Sequence, residues 1–350
     1  MDELLVLFFL LNFCYNWEIG IIWTIQGSFW TPLGFLGGTP ILDTFWSIVT
    51  ALGEEILWFM FVAVIFWLGY KKESIFLALV LVSSVYVSYT LKHIIDRPRP
   101  GFHEVRKIEP AYQYSFPSGH AQTVSAATFT TAWLVKKNAS LVSKRGISLF
   151  ALAMAISVLV AISRIYLGAH WPTDVIAGLL IGILIFGVYA LIANRIWKAM
   201  DAKIKSPWIY VAIVLAVFIV IPIAMPSQWG LSGYINILAT SYLLGTLPFT
   251  MFIVYPFDWG ISWYLSGIIA GFLSGAALER KYVKLAFPLS WKHAIIRLVI
   301  GGAVALAAYF FLSEIPWGPL QFPFYAILGL WTTLIAPALF KKIEPQKPKQ

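Results

Sequence analysis

Charge and thiols are both scarce in this chain. Only 12% of its 350 residues are Asp, Glu, Lys or Arg and 60% are hydrophobic, whereas a soluble globular chain carries about 25% charged residues. That scarcity excludes a soluble globular protein and indicates an integral membrane protein. The lone cysteine, Cys14, excludes an internal disulfide. The N-terminus lacks the basic region of a signal peptide, since Asp2 and Glu3 stand there, and no small-residue cleavage site follows the apolar run. The long apolar runs show no alternating strand pattern, which leaves helices as the spanning structure. No His/Cys set and no carboxylate cluster suggests a metal, so neither a metal nor another cofactor is expected. No internal repeat or low-complexity linker is evident.

Long apolar and aromatic segments fill the chain. They recur at roughly 51–70, 73–91, 120–136, 147–163, 173–194, 207–226, 261–279, 294–313 and 321–340, lengths suited to crossing a bilayer as helices. The expected fold class is therefore all-α, a polytopic transmembrane helix bundle of about nine spans. Aromatic residues make up 17%, including 16 Trp, as interfacial belts require. Residues 4–27 are read as one or two interfacial helices, because Asn12, Asn16 and Glu18 discourage a longer span. The stretch 231–252 is apolar but broken by Gly233, Asn236, Gly245 and Pro248, and is read as re-entrant or interfacial.

The net charge of +9 falls largely in loops, so no nucleic-acid partner is expected. Lys71 and Lys72, then Lys136, Lys137, Lys144 and Arg145, then Arg195, Lys198, Lys203 and Lys205 recur on one side of the bundle. The positive-inside rule makes that side cytoplasmic. The loops at 92–120 and 163–174 then share the opposite, extracytoplasmic face of the cell membrane. The polar segment 195–206 divides the chain into an N-terminal region (1–50), a motif-bearing core (51–194) and a C-terminal extension (195–350) with almost no ionisable residue at membrane depth.

Three segments carry chemistry. Lys92 ends an apolar helix and Arg99 follows seven residues on, flanked by Pro98 and Pro100, which stop the helix and let both cations converge on one anion. Pro117-Ser118-Gly119-His120 opens the next helix, with Ser118 as a natural N-cap and Gly119 allowing close ligand approach. The first-turn N–H groups there suit an anion. Ser163-Arg164 ends a helix, and His170 precedes Asp174 by four residues in the first turn of another that Pro172 opens. Asp174 can accept a bond from one imidazole nitrogen and leave the other free to attack. Alone, each segment also fits a bland role: a snorkelling helix end, a capped helix with a surface histidine, a dipole-favoured first-turn acid. Together, on one face, they point to phosphate capture and phosphoryl transfer through histidine.

The combined pattern Lys92-x6-Arg99-Pro100, Pro117-Ser118-Gly119-His120 and Ser163-Arg164-x5-His170-x3-Asp174 resembles the signature of the type 2 phosphatidic acid phosphatase (PAP2) family. The resemblance covers 92–174 directly and implies a PAP2-like helical core over about 51–194. It implies a metal-independent double displacement in which His170 forms a phosphohistidine and His120 protonates the leaving oxygen. The residues themselves divide the labour the same way, since His170 has the carboxylate partner Asp174 and a histidine beside a bound dianion is an acid. Lys92, Arg99, Arg164 and the Ser118-Gly119 turn would bind the equatorial oxygens.

The expected activity is hydrolysis of a lipid phosphate or polyprenyl diphosphate, with membrane lipids and a phosphorylated lipid or isoprenoid substrate as partners. A sugar phosphatase of the glucose-6-phosphatase type, a lipid phosphotransferase and an anion transporter stand as alternatives. A transporter would distribute ionisable residues through several spans. Glu54 and Glu55 are read as a solvated helix start that could also contact a headgroup or pair with a site cation. Tyr112, Tyr114 and Tyr166 are read as interfacial packing, and Glu279 and Arg280 as a cytoplasmic helix end.

Overall fold

The computed structural model describes residues 16–26, 40–101, 105–109, 114–138, 146–202, 206–224, 257–312 and 318–344. The stretch 231–252 and residues 4–15 and 27 of the N-terminal region lie outside them. Every regular element among the described residues is helical. In chain order they are α1 (16–26), α2 (Pro40–Ala51), α3 (Glu55–Trp67), α4 (Lys71–Ile95), α5 (Gly119–Asn138), α6 (Gly146–Tyr166) and α7 (Pro172–Asp201), then α8 (Pro207–Ala224), α9 (Phe257–Leu278), α10 (Trp291–Leu312), α11 (Gly318–Leu330) and α12 (Ala336–Ile343). Single π-helical turns extend α9 (Glu279–Val283) and join α11 to α12 (Trp331–Ile335).

Among the described residues, five helices are long and apolar enough to cross a membrane, and a sixth span arises if Ile41–Ala51 and Glu55–Trp67, bent by 47°, count as one. The protein is a multi-pass membrane protein. The run expected to cross at 51–70 is instead a helix of 13 residues, about 20 Å at 1.5 Å per residue, too short alone for a hydrocarbon core of about 30 Å. The run at 120–136 is not among the five either, and its helix α5 has a different solvent. Every residue from Ala121 to Thr128 is buried, more than two turns in succession. All faces of α5 in that stretch meet protein, so Gln122, Thr123, Ser125 and Thr128 need hydrogen bonds more than hydrophobicity. Gln122 Nε2 donates to Ser84 O at 2.6 Å, and Thr128 Oγ1 donates to Val124 O at 2.7 Å. At 207–226, α8 is a short apolar helix with Pro222 inside it.

The chain divides into two compact units that are not contiguous in sequence: residues 1–58 with 83–192, and 59–82 with 193–350. In the first, Ile19 and Ile22 of α1 form a core cluster with Ala121, Ala161, Ile165, Trp171 and Val175, so α1 packs into the motif-bearing unit. Helix α7 approaches α5 closely: a Cβ at Gly178 would lie 2.5 Å from Ser118 O, and one at Gly182 would overlap Ser125 Oγ and Gln122 O. These two glycines bring the start of α7, with Asp174, to the start of α5.

In the second unit α9 and α11 meet at similar proximity. Gly267 faces Phe322 O, and Gly271 faces Ala326 O. Among the described residues of 195–350, Glu279 and Arg297 are buried, each 1% exposed. Both are paired, as burial demands. Lys71 Nζ donates to Glu279 Oε1 at 2.6 Å, and Arg297 grips Glu344 bidentately with two bonds of 2.6 Å.

Candidate active site

The first unit contains all eight residues singled out from the motifs. Helix α4 ends at Ile95, Asp96 takes a left-handed conformation with φ 50°, and Pro98 and Pro100 keep the chain extended beyond it. Lys92, on the last turn, is buried and donates from Nζ to Tyr114 O at 2.8 Å and Pro117 O at 3.0 Å. It thereby fixes the approach to α5. Ser115 Oγ donates to Pro98 O at 3.0 Å, and Trp171 Nε1 donates to the same carbonyl at 2.9 Å. These bonds knit the three motif segments together.

Arg99 Nη1 donates to Ala169 O at 2.7 Å and lies 3.1 Å from His170 Nε2. A guanidinium has no acceptor, so Nε2 must present its lone pair and the imidazole proton resides on Nδ1. Nδ1 faces Asp174 Oδ2 at 3.6 Å, too far for the expected hydrogen bond, and has no other hydrogen-bond partner among the described residues. The Asp174 carboxylate is committed elsewhere: Oδ2 accepts from Trp171 N at 2.9 Å, and Oδ1 accepts from Arg97 Nη1 at 2.7 Å. Burial, Arg99, Lys92 and Arg164 hold the His170 pKa well below the ordinary imidazole value. His170 is therefore neutral near pH 7, the protonation state a nucleophile requires. Arg99 is pushed down to about 10 by burial and by Arg164, and stays charged at that pH.

Arg164, near the end of α6, is buried and donates from Nη1 to Thr50 Oγ1 and to Glu109 Oε2, each at 2.8 Å. His120 Nε2 lies 3.1 Å from Glu54 Oε1. Ser118 does not cap α5 with its side chain. Its Oγ is buried without a partner among the described residues, and its N–H donates to Asp174 O at 3.0 Å. The N–H groups of Gly119, His120 and Ala121 have no intrahelical acceptor; the first i to i−4 bond is Gln122 N to Ser118 O at 3.0 Å. A Cβ at Gly119 would meet only Ser88 Oγ, at 3.5 Å, so protein packing does not demand glycine there. Arg164 Nε, like Ser118 Oγ, is buried without a hydrogen-bond partner among the described residues.

Sequence reasoning missed the supports. Arg97 bridges Asp174 to Glu18 of α1, with Nη2 to Glu18 Oε2 at 2.5 Å, and its guanidinium lies over the Trp171 ring at 5.4 Å. Glu18 Oε1 accepts from Thr173 N at 3.2 Å and from the Thr173 hydroxyl. The signal for Arg97 was its place in Asp96-Arg97-Pro98-Arg99-Pro100; Glu18 carries no local signal. Glu54 pairs with the site residue His120 while its side chain stays 47% exposed just before α3. Tyr166 donates to Asp43 Oδ1 at 2.8 Å and receives Arg106 Nη2 at 3.0 Å, so its hydroxyl serves the loop at 105–109.

Residues 73–198 match the family model for the PAP2 superfamily, and 263–348 match that for the PAP2 superfamily phosphatase transmembrane extension. Lipid phosphate phosphatase delta of Arabidopsis thaliana is 26% identical over 51% of this chain, which spans 48% of that relative's length. YbjG of Escherichia coli (strain K12) is 32% identical over 41% of this chain, with 68% of YbjG covered. The crystal structure of a transmembrane PAP2 type phosphatidylglycerolphosphate phosphatase from Bacillus subtilis is similar with a TM-score of 0.46 and 27% identity, over 55% of this chain and 94% of that one.

Proposed function

The chain belongs to the PAP2 superfamily, and from that membership we propose that it is a metal-independent membrane phosphatase acting on a lipid phosphate or polyprenyl diphosphate through a phosphohistidine on His170. One observation carries this reading. A neutral histidine whose Nε2 lone pair is exposed to Arg99 shares one unit with a second histidine and three basic side chains, all from the motif segments. The relative named a lipid phosphate phosphatase supports the substrate class.

In the first half-reaction His170 Nε2 attacks phosphorus while the ester P–O bond breaks, and His120, whose pKa burial and Arg164 hold below the ordinary imidazole value in the free protein, takes up a proton beside the arriving phosphate dianion and gives it to the leaving oxygen. Arg99 transfers from Nε2 to an equatorial oxygen as the phosphate arrives; Lys92, Arg164, Ser118 and the Gly119 N–H neutralise the others. Asp174 stabilises the imidazolium that forms. Water, deprotonated by His120, then attacks the phosphohistidine and releases phosphate. The chemistry belongs to 51–194 with support from 1–50, the remainder being a transmembrane extension. The site faces the extracytoplasmic side, where a substrate phosphate lies at headgroup depth.

Phosphate release by the purified full-length protein from lipid phosphate, polyprenyl diphosphate and sugar phosphate tests this directly. Release from a lipid substrate, unchanged by EDTA and abolished by orthovanadate, is expected. Turnover of sugar phosphate alone would favour the sugar phosphatase reading. No turnover of any would favour an anion carrier, and loss with EDTA restored by one divalent ion would overturn the metal-free mechanism.

A further inference from the structure

The turn between α2 and α3 touches both ends of the phosphate machinery. Thr50 Oγ1 accepts from Arg164, Gly53 packs on the His120 ring so that a Cβ there would lie 2.8 Å from His120 Cβ, and Glu54 Oε1 stands 3.1 Å from His120 Nε2. The turn is fixed by its own bonds, Gly53 N to Thr50 O at 2.8 Å and Glu54 N to Ala51 O at 3.1 Å. Trp58 Nε1 caps it by donating to Leu52 O at 2.9 Å. Glu54 is thus held in place, yet its side chain is 47% exposed and can face an incoming molecule. A second carboxylate, Glu109, sits on Arg164 and is 33% exposed.

In-line displacement puts nucleophile and leaving group on opposite sides of phosphorus. If His170 attacks and His120 protonates the leaving oxygen, whatever that oxygen carries must pass Glu54. An ammonium or hydroxyl on the carbon next to the ester carbon would offer Glu54 a charge-assisted bond. In a diphosphate the leaving group is itself a phosphate, and its charge would meet the carboxylate head on.

We propose that Glu54 is a specificity-determining residue on the leaving-group side, selecting phosphomonoesters of amino or hydroxy alcohols over diphosphates. This rests on the phosphatase reading above and narrows its substrate class to monoesters. Were Glu54 only a prop for His120, its loss would slow all substrates alike; as a selector it changes their ratio.

The test compares kcat/KM of the full-length protein in detergent micelles for three substrates. They are a long-chain 2-amino alcohol 1-phosphate, an n-alkyl monophosphate of equal chain length, and a polyprenyl diphosphate. Glu54→Gln keeps the shape and removes the charge. It should lower the amino-to-alkyl ratio about tenfold and raise the diphosphate-to-alkyl ratio about tenfold. Glu54→Asp, which keeps the charge, should preserve the wild-type order. His170-dependent release with both ratios unmoved in Glu54→Gln, or moved the opposite way, overturns this inference alone. No release by the wild type, or release that survives His170→Ala, overturns the phosphatase reading and this inference with it.

Discussion

Arg97 Nη1 donates to Asp174 Oδ1 at 2.7 Å, so the carboxylate that faces His170 takes its orientation from a residue outside the family signature. Asp174 is fully buried, and removing one partner of a buried pair costs about 3–5 kcal/mol. Arg97→Ala should therefore lower the thermal unfolding midpoint in detergent and reduce kcat/KM by about 100-fold, the order seen when the groups orienting a catalytic ligand are lost. Glu18→Gln leaves Arg97 on Asp174 and should cost far less of both. Equal losses in the two variants would contradict this ranking.

The neutral state of His170 predicts a pH profile. Its folded-state pKa lies well below the ordinary value through burial and then Arg99 and Lys92, whereas the unfolded chain titrates near about 6.5. As pH falls below that value the unfolded state takes up the proton first. The His170 contribution to stability is thus intact above it and declines as pH drops toward the folded pKa. The acidic limb of kcat/KM should lie below the usual histidine range for the same reason. Arg99→Gln removes a cation 3.1 Å from Nε2 and should move that limb to higher pH while lowering the maximum. A limb that stays in place would show that Arg99 does not act on His170.

Gly178 lets α7 touch the turn that opens α5. A Cβ there would sit 2.5 Å from Ser118 O and 3.2 Å from Ala121 Cβ. Gly178→Ala should therefore push Ser118 and His120 away from Asp174 and lower kcat/KM at least about tenfold, since displacements of about 1 Å can cost 100-fold. Gly187→Ala, on the same helix with nothing within 4 Å of its Cβ, should leave kcat/KM within about twofold. Indistinguishable kinetics for the two variants would mean the close approach is not required.

The positive-inside pattern predicts a site facing away from the cytoplasm. Single cysteines at Lys107 and Lys137, in a Cys14→Ser background, report this in intact cells treated with a membrane-impermeant thiol reagent. Labelling at 107 and protection at 137 are expected; the reverse would put catalysis in the cytoplasm.

The helices and the motif set were legible because both are local signals: apolar runs of spanning length, prolines beside helix ends, and polar residues at fixed spacing. Their supports were not. Glu18 and Thr173 meet across 155 residues, and Arg97 and Glu18 across 79, separations that leave no periodicity to read. Helix α5 carries so many Ser, Thr and Ala residues over 121–128 because that stretch is surrounded by protein, a tertiary fact its own sequence does not announce. Ser118 stood where an N-cap belongs, but its hydroxyl has no partner among the described residues and its N–H is used by Asp174 O. The first expected span is broken at Leu52-Gly53-Glu54, and that break delivers Glu54 to His120.

The phosphohistidine is the central claim, and trapping it is its most direct test. Full-length protein is mixed with a phosphorus-labelled lipid phosphate, quenched within milliseconds in alkali, where phosphohistidine survives, then digested and sequenced by mass spectrometry. Label on His170 is predicted in the wild type, accumulating further in His120→Ala with a good leaving group, and absent from His170→Ala. Label on another residue, or near-normal turnover by His170→Ala, would contradict the account.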